Sequence, residues 1–359
     1  MTDSGPMKHD YRMHFRKGVL VTVVLIVLIT ITSVLSLSVA KYSIGFSEAI
    51  DIIVNRLNGH VPSRVDDYNY WLKDMIVWDG NLPIAIGGVA VGVILGVAGA
   101  IMQSIIRNPL ADPYTTGISS GAMFGVAVFM VLGVSVIPFT GGNLGLILNA
   151  FAFALVPSAV IVFVASFKKT SPTMMVLIGI GVMYMFSAST TLMMITASDE
   201  TLADIYIWSV GSISKISWDV LPLILGAMIF LVVAGMFLSR GINVLSAGDN
   251  SATSLGVNPV KLRMICFIIV SISVAVAVCF TGPIGFVGLV SPHIARMLIG
   301  SNIRYLIPSS AAIGGFMLIA ADCIARSVGT AGLPVGVITA LIGSPLFLYF
   351  LIKQKKSAW

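Results

Sequence analysis

Long apolar stretches recur along the chain, and short polar segments separate them. Each stretch is about 20 residues long, which is the length of an α-helix that crosses a bilayer. The pattern predicts an all-α, polytopic membrane protein, with one transmembrane domain over residues 1–359 folded as a compact bundle. The predicted spans are ten in number and cover roughly 19–40, 82–106, 115–134, 146–167, 172–196, 219–239, 262–281, 285–299, 306–325 and 335–352.

Composition supports this prediction and narrows the function. Only 10% of the residues are charged, 57% are hydrophobic, and the mean hydropathy is +1.00. Soluble globular proteins carry about 25% charged residues, so a water-soluble enzyme is excluded. The cysteines Cys266, Cys279 and Cys323 form no CxxC pair, and we expect packing residues there and no metal site.

The charged residues predict the orientation. An even number of spans places both termini on one side, and most Lys and Arg residues then fall on that side, including those of segments 1–18 and 240–261. Most acidic residues fall on the other side, largely in segment 41–80. The positive-inside rule therefore predicts cytoplasmic termini in a cell membrane. The first apolar run is longer than the core of a signal peptide and is interpreted as a true span.

Glycines recur at a spacing of four in two spans. Gly88, Gly92 and Gly96 share one stripe of the second span, and a second series, Gly117, Gly121 and Gly125, begins the third. Small residues at this spacing let helices approach closely in lipid. These glycines predict tight helix packing and do not by themselves indicate a function.

Two polar segments interrupt the pattern. In the segment 107–113, two prolines prevent a continuous helix, and Asp112 followed by Pro113 predicts the cap and first position of the next helix. In the loop 240–261, Asp249 or Asn250 is expected to cap a short helix over 251–255, which Gly256 would end. This short helix is either a connector or a rigid knob that a partner protein contacts.

Two further features lie near the last spans. Residues 281–293 are rich in glycine and proline, and irregular backbone at membrane depth must be buried in protein or line a wet cavity. His293, at the end of this segment, is interpreted as a packing or hydrogen-bonding residue. Asp322 and Arg326 are four residues apart, share a helix face and are expected to pair.

Together these segments resemble a known family. Four segments, in this order, are similar to the permease subunits of ATP-driven importers for ferric siderophores, haem and cobalamin. They are RNPLADPYTTGISSGAMFG (107–125), LSAGDNSATSLGV (245–257), GPIGFVGLVSPHIAR (282–296) and LPVGVITALIGSPLFLYFL (333–351). The resemblance runs from about residue 81 to 353, and the span count agrees with it.

The resemblance implies a set of partners. Such permeases are homodimers, and two cytoplasmic ATPase subunits, which carry ATP and Mg, contact the segment matching this chain's Gly248, Asp249, Ser251, Ala252, Thr253, Leu255 and Gly256. The chain itself has no GxxxxGK[ST] loop, so it is expected to hold no cofactor and to be no enzyme. An external substrate-binding protein docks on the other side.

The resemblance also implies docking and path residues. Arg326 matches a receptor-docking position. The family's basic-Leu-Pro-basic motif reads Asn81-Leu-Pro-Ile84 here, and the candidates to replace its charges are Arg56, Arg64 and Lys73. The fifth span is similar to the helix that lines the translocation path, and the expected path residues are Met183, Ser187, Thr190 and Thr191. Movement of the paired fifth and tenth spans would give alternating access.

Two alternative functions fit an apolar, helical chain less well. An ion-coupled secondary transporter needs carboxylates within the membrane, and Asp322 is the one candidate in a span. An intramembrane enzyme is disfavoured, because the chain has no HExxH motif and no paired carboxylates. The sequence does not distinguish a ferric siderophore, haem, cobalamin or oxyanion as cargo.

Overall fold

The computed structural model describes residues 5–39, 44–65, 67–138, 140–167, 170–328 and 332–353, without the side chains of residues 5–19, 21 and 351. Within these ranges there are helices and no strands. Some predictions concern residues outside this description. They are the predictions for residues 1–4, 41–43 and 354–359, for the basic pair at 168–169 and for the charges of the first segment. The helices are α1 (Gly5–Ser38), α2 (Phe46–Leu57), α3 (Tyr68–Asp74), α4 (Leu82–Ile106), α5 (Ile118–Leu132), α6 (Gly142–Phe167), α7 (Pro172–Ile195), α8 (Asp199–Ser209), α9 (Leu221–Ser246), α10 (Asp249–Ser254), α11 (Pro259–Thr281), α12 (Val287–Ile299), α13 (Ile303–Ser327) and α14 (Val335–Lys353).

The all-α membrane fold predicted from the sequence is confirmed. Among the described residues, six helical stretches are long and apolar enough to cross a membrane, namely Tyr68–Ile106, Gly142–Phe167, Pro172–Ile195, Leu221–Ser246, Pro259–Thr281 and Ile303–Ser327. Four shorter apolar helices, Thr22–Ser38, Ile118–Leu132, Val287–Ile299 and Val335–Phe350, occupy the remaining predicted spans. The fold is therefore a bundle of helices of unequal length.

The segment 240–261 contains more helix than the predicted loop. α9 continues past Arg240 to Ser246, and α11 begins at Pro259. The helix α9 continues because Ile242 and Leu245 are fully buried, so packing outweighs the polar composition that ended the predicted span. The connection is reduced to the short helix α10 and its flanking turns.

The segment 41–80 is more ordered than a polar connection. It contains α2, α3 and a π-helical turn, Met75–Asn81, that leads directly into α4. Trp218, which precedes α9, donates its indole N–H to the carbonyl of Trp78 at 2.9 Å, and the two rings lie 5.5 Å apart. The two tryptophans thus join the start of α4 to the start of α9.

α4 forms the centre of the bundle, because nearly all of its residues are buried against α13, α9 and α12. The glycine stripe explains this position. A methyl group on Gly92 would meet the backbone of Gly314, and one on Gly96 would meet the backbone of Ser310, both in α13. In the same way, Gly121 of α5 lies on the backbone of α6 at Phe153. The close helix packing predicted from both glycine series is confirmed.

The turn between α4 and α5 begins as predicted, with Asp112 at the N-cap and Pro113 at the first position of the next helical element, but that element is not α5. Pro113–Thr116 is a 3₁₀ turn, and α5 begins only at Ile118, after Gly117 with φ of 93°. Thr115 forms a capping box with Asp112, whose backbone N–H donates to the Thr115 hydroxyl at 3.3 Å. Tyr114 reaches the irregular segment before α12, where the backbone N–H of Ile284 donates to its hydroxyl at 3.2 Å. The turn is therefore held both by local capping and by this long-range contact, which the sequence pattern does not predict.

The packing of α4 generates a stability prediction. Gly96→Ala is expected to destabilise the protein by about 1–3 kcal/mol, because rigid backbone faces the added methyl group and cannot move aside. Gly226→Ala in α9 is the matched control, since nothing lies within 4 Å of its added carbon and alanine favours a helix. Melting temperatures of the purified proteins check this prediction. Equal melting temperatures for the two variants would contradict it.

Candidate functional site

The short helix α10 projects between α9 and α11 at one end of the bundle, called here the α10 face. The glycine before it, Gly248, has φ of 116°, and Gly256 after it has φ of 80°. Glycine is suited to both positions because these conformations strain other residues. The predicted closure by Gly256 is confirmed, whereas the predicted capping by Asp249 or Asn250 is wrong, because α10 starts at Asp249 and has no side-chain cap.

Asp249 is held from inside the bundle by a buried arginine. Arg263 of α11 is fully buried and donates from Nη1 and Nη2 to the two carboxylate oxygens of Asp249, at 2.8 and 2.7 Å. Its Nε donates to the carbonyl of Ile105, in the last turn of α4, at 2.9 Å. One side chain therefore joins α10, α11 and α4.

A second arginine completes the contact. Arg107 directly follows α4 in the left-handed conformation, with φ of 55°, and its Nη2 lies 3.2 Å from Asp249 Oδ1. The hydrogen bonds from Arg263, together with the charges of both arginines, lower the pKa of Asp249. Asp249 thus stays ionised at neutral pH, and the group formed by Asp249, Arg263 and Arg107, called here the α10 clamp, keeps its charges.

The α10 clamp divides the predicted coupling residues into two groups. Asp249 faces Arg263, and Ala252 is fully buried, so these two hold α10 in place. Leu255 is 69% exposed at the tip of the helix. The other exposed members are Ser251, Thr253 and Gly256. The structure thus brings the predicted segment together as one rigid projection with an apolar tip.

A cleft lies beside α10. It has a volume of about 870 Å³ and runs between α10 and the connection from α6 to α7, with Phe167, Asn250, Thr253 and Asn258 among its lining residues. Phe167 is 74% exposed there. The α10 face therefore offers an exposed projection with an adjoining cleft.

The predicted path residues of α7 are only partly brought together. Ser187 and Thr190 line a pocket of about 280 Å³ with Ser119, Ser120 and Met123 of α5 and Ser209 of α8. Met183 and Thr191 do not line this pocket. The Thr190 and Thr191 hydroxyls donate to carbonyls of their own helix, at 2.9 and 3.0 Å. The sequence pattern does not predict the serines of α5 as pocket residues, because the glycines around them indicate helix packing alone.

The predicted docking cations lie at the opposite end of the bundle, called here the α2 face. Arg56 bonds Asp74 through Nε at 2.9 and 3.0 Å, and this contact raises the pKa of Arg56. Lys73 Nζ lies 2.6 Å from Glu48 Oε1. Arg64 is exposed, and its guanidinium lies over the rings of Tyr68 and Trp71, at 5.7 and 5.2 Å.

Arg326 is mostly turned into the protein. Its Nη2 lies 2.6 Å from Asp322, which confirms the predicted pair, and its Nη1 donates to Asn81 Oδ1 at 2.9 Å. Asn81 in turn donates to the carbonyl of Leu37 at 2.8 Å. Asn81, where the resembled family has a basic residue, therefore links α1, α4 and α13. The sequence offered no signal for the part that Asn81 plays in this network.

His293 and the cysteines have the packing surroundings predicted for them. His293 is buried, with the rings of Phe347 and Phe350 of α14 within 6.2 and 5.5 Å. Cys266 and Cys279 are buried, and the described residues contain no group of three or more potential metal ligands.

A helical membrane bundle with a hydroxyl-lined pocket and a clamped, protruding helix at one end has the architecture of a transport permease. The comparisons with known proteins agree. The chain belongs to the FecCD transport family, which matches residues 27–353. It is a multi-pass permease of the ABC transporter class, and this membership decides against the ion-coupled alternative.

Three individual comparisons illustrate the relationship. The chain is 34% identical to the hemin transport system permease protein HmuU of Yersinia pestis over 77% of this chain and 83% of that protein. It is 37% identical to the cobalamin import system permease protein BtuC of Halobacterium salinarum over 77% and 73%. A solved inward-facing structure of a transporter described as of metal-chelate ABC type superposes with a TM-score of 0.79 at 30% identity, covering 93% and 99%.

The α10 clamp generates a second prediction. Asp249→Asn removes the charge opposite a fully buried guanidinium, and we expect a loss of about 2 kcal/mol at neutral pH. Because the pKa of Asp249 is lowered in the folded protein, its stabilisation is present above the ordinary carboxyl pKa and disappears as the pH falls through the folded-state pKa. The difference in melting temperature from the wild type should therefore narrow in acid.

Asp51→Asn is the matched control for this experiment, since it makes the same chemical change at an exposed position of α2. Its melting temperature should equal that of the wild type at every pH. An Asp249→Asn protein that melts like this control at neutral pH would show that the α10 clamp contributes no stability.

Proposed function

We propose that this chain is the membrane subunit of an ATP-driven importer and that it forms a homodimer whose axis carries a metal chelate across the membrane. The observation that carries the proposal is the rigid α10 projection held by Asp249 and Arg263, in a chain that belongs to a family of ABC permeases. The α10 face and both termini are then cytoplasmic, and the α2 face is external.

The energy source lies on partner subunits in this proposal. Two ATPase subunits, binding ATP and Mg, contact the exposed residues of α10 and insert into the cleft beside it. The α10 clamp transmits their movement, because Arg263 joins α10 to α11 and to the end of α4. Displacement of α10 therefore moves the central helix of the bundle and, through it, the helices around the path.

The proposed cargo is a bulky chelate of the ferric siderophore, haem or cobalamin type. Relatives named for hemin and cobalamin support this class. The pocket lined by Ser187, Thr190 and Met123 adds a physical reason. Its hydroxyl and thioether groups bind weakly, and the threonine hydroxyl is already bonded within α7, so a chelate is released readily.

An external substrate-binding protein delivers the chelate to the α2 face in this proposal. Of the four cations first considered for docking, Arg56, Lys73 and Arg326 are each paired with a carboxylate of the chain itself. Arg64 is exposed and supported by aromatic rings, which leaves its guanidinium available to an acidic group of the partner. Arg64 is therefore the leading docking residue.

Coupling is tested at the tip of α10. Leu255→Asp places a charge where an ATPase subunit is proposed to pack an apolar side chain, and we expect ATP hydrolysis to continue while uptake falls at least tenfold, equivalent to about 1.4 kcal/mol. Leu255→Met keeps an apolar tip and should retain uptake. Uptake and hydrolysis are measured together in proteoliposomes with the ATPase subunits present. Wild-type uptake by Leu255→Asp would refute the coupling role.

Docking is tested by comparing two identical charge removals. Arg64→Gln is expected to slow association of the binding protein and to reduce the salt dependence of that rate, because exposed interface charges act mainly on association. Lys73→Gln should have a smaller effect, since Glu48 already neutralises this lysine. Association rates at several salt concentrations distinguish the two, and equal effects would remove Arg64 from the docking surface.

A further inference from the structure

The helix α2 presents three distinct faces. Ala49 and Ile52 are buried against the rest of the protein. Phe46, Ile50, Val54 and Leu57 are exposed by 38–73% and recur at a spacing of three or four, so they form one apolar stripe, called here the α2 stripe. Ser47, Asp51 and Asn55 are exposed on a third, polar face.

The packing of α2 determines its depth relative to the membrane. Ala49 and Ile52 belong to a small apolar cluster with Leu37, in the last turn of α1, and with Ala85, in the first turn of α4. α4 belongs to a stretch long and apolar enough to cross a membrane, and α1 contains a shorter apolar stretch, Thr22–Ser38, in the position of the first predicted span, so α2 lies beside the ends of two apolar helices. This is the level at which the hydrocarbon of the bilayer meets the headgroups.

The α2 stripe continues into a surface that faces lipid. An apolar groove of about 450 Å³ lies between α1, α4 and α9, and Ile53 of α2 forms part of its wall. Ile53 is three or four residues from Ile50 and Leu57, which makes it their neighbour on the helix surface. Below it, Ile31 and Leu35 of α1 are each 51% exposed, as expected for side chains in contact with acyl chains.

The polar surroundings of α2 fit the same placement. Arg56 forms an ion pair with Asp74, and Lys73 forms one with Glu48, so these two cations near α2 are neutralised within the chain. Tyr70, whose hydroxyl accepts a hydrogen bond from Asn55 at 2.9 Å, lies on the polar side with Trp71 nearby. Aromatic residues of this kind concentrate at membrane–water interfaces.

We propose that α2 is an in-plane membrane helix, with the α2 stripe embedded in the leaflet at the α2 face and its polar face in water. Amphipathic helices at interfaces bury their apolar side about 5–10 Å below the headgroup boundary. The partner is the phospholipid bilayer, which solvates the groove beneath Ile53 and the α2 stripe as one continuous surface. This placement depends on the membrane fold alone and holds whichever cargo is carried.

The test measures the surroundings of single side chains on α2. Cysteines are introduced one at a time at Ile50, Val54 and Leu57, and at the matched polar positions Ser47, Asp51 and Asn55, in the full-length chain with its natural cysteines changed to alanine. Each is spin-labelled in phosphatidylcholine vesicles, and its relaxation by dissolved oxygen is compared with relaxation by a water-soluble nickel chelate. Oxygen concentrates in hydrocarbon, and the chelate stays in water.

We expect a severalfold higher ratio of oxygen to nickel relaxation at the three apolar positions than at the three polar ones. Equal ratios at all six positions would place the α2 stripe in water and overturn the proposal. Low accessibility to both reagents at the apolar positions would also overturn it, because a second copy of the chain would then cover the stripe. A change in the relaxation ratios at the apolar positions when a binding protein is added would assign the α2 stripe to that protein and overturn the proposal.

Discussion

The bundle depends on the close approach of helix backbones around α4. Lipid surrounds apolar side chains as well as a protein interior does, so the hydrophobic effect does not hold helices together in a membrane. Contact between backbones replaces it here, and Gly92 and Gly96 allow α13 to approach α4 until a single methyl group no longer fits. Because α4 is buried on nearly every side, the positions of α9, α12 and α13 follow from this packing.

Because α4 lies at the centre of the bundle, residues at both ends of the protein contact it. At the α10 face, Arg263 bonds the carbonyl of Ile105 and so connects α10 to the last turn of α4. At the α2 face, Asn81 precedes α4 and receives a hydrogen bond from Arg326, which also pairs with Asp322. A closely packed helix thus lies between the proposed site of ATPase contact and the proposed site of receptor docking.

The buried charge of Arg263 joins separate helices. The guanidinium of Arg263 satisfies three acceptors on two elements, so the cost of burying it is offset by hydrogen bonds along its whole edge. The buried guanidinium of Arg263 favours one position of α10, because a displaced α10 would leave this charge without the Asp249 carboxylate. The α10 projection is therefore rigid for an electrostatic reason, and the length of the helix, only six residues, does not account for it.

The sequence by itself determined the class of fold and the position of the α10 projection, because apolar length, glycine spacing and turn residues act locally and are visible along the chain. Only the tertiary structure decided the roles of Arg263, Asn81 and Ser119. Arg263 looked like one of many basic residues at a membrane boundary, and Asn81 looked like the loss of a docking charge. Each acts through a partner that is distant in the sequence, and the packing of helices, which no local pattern encodes, brings those partners together.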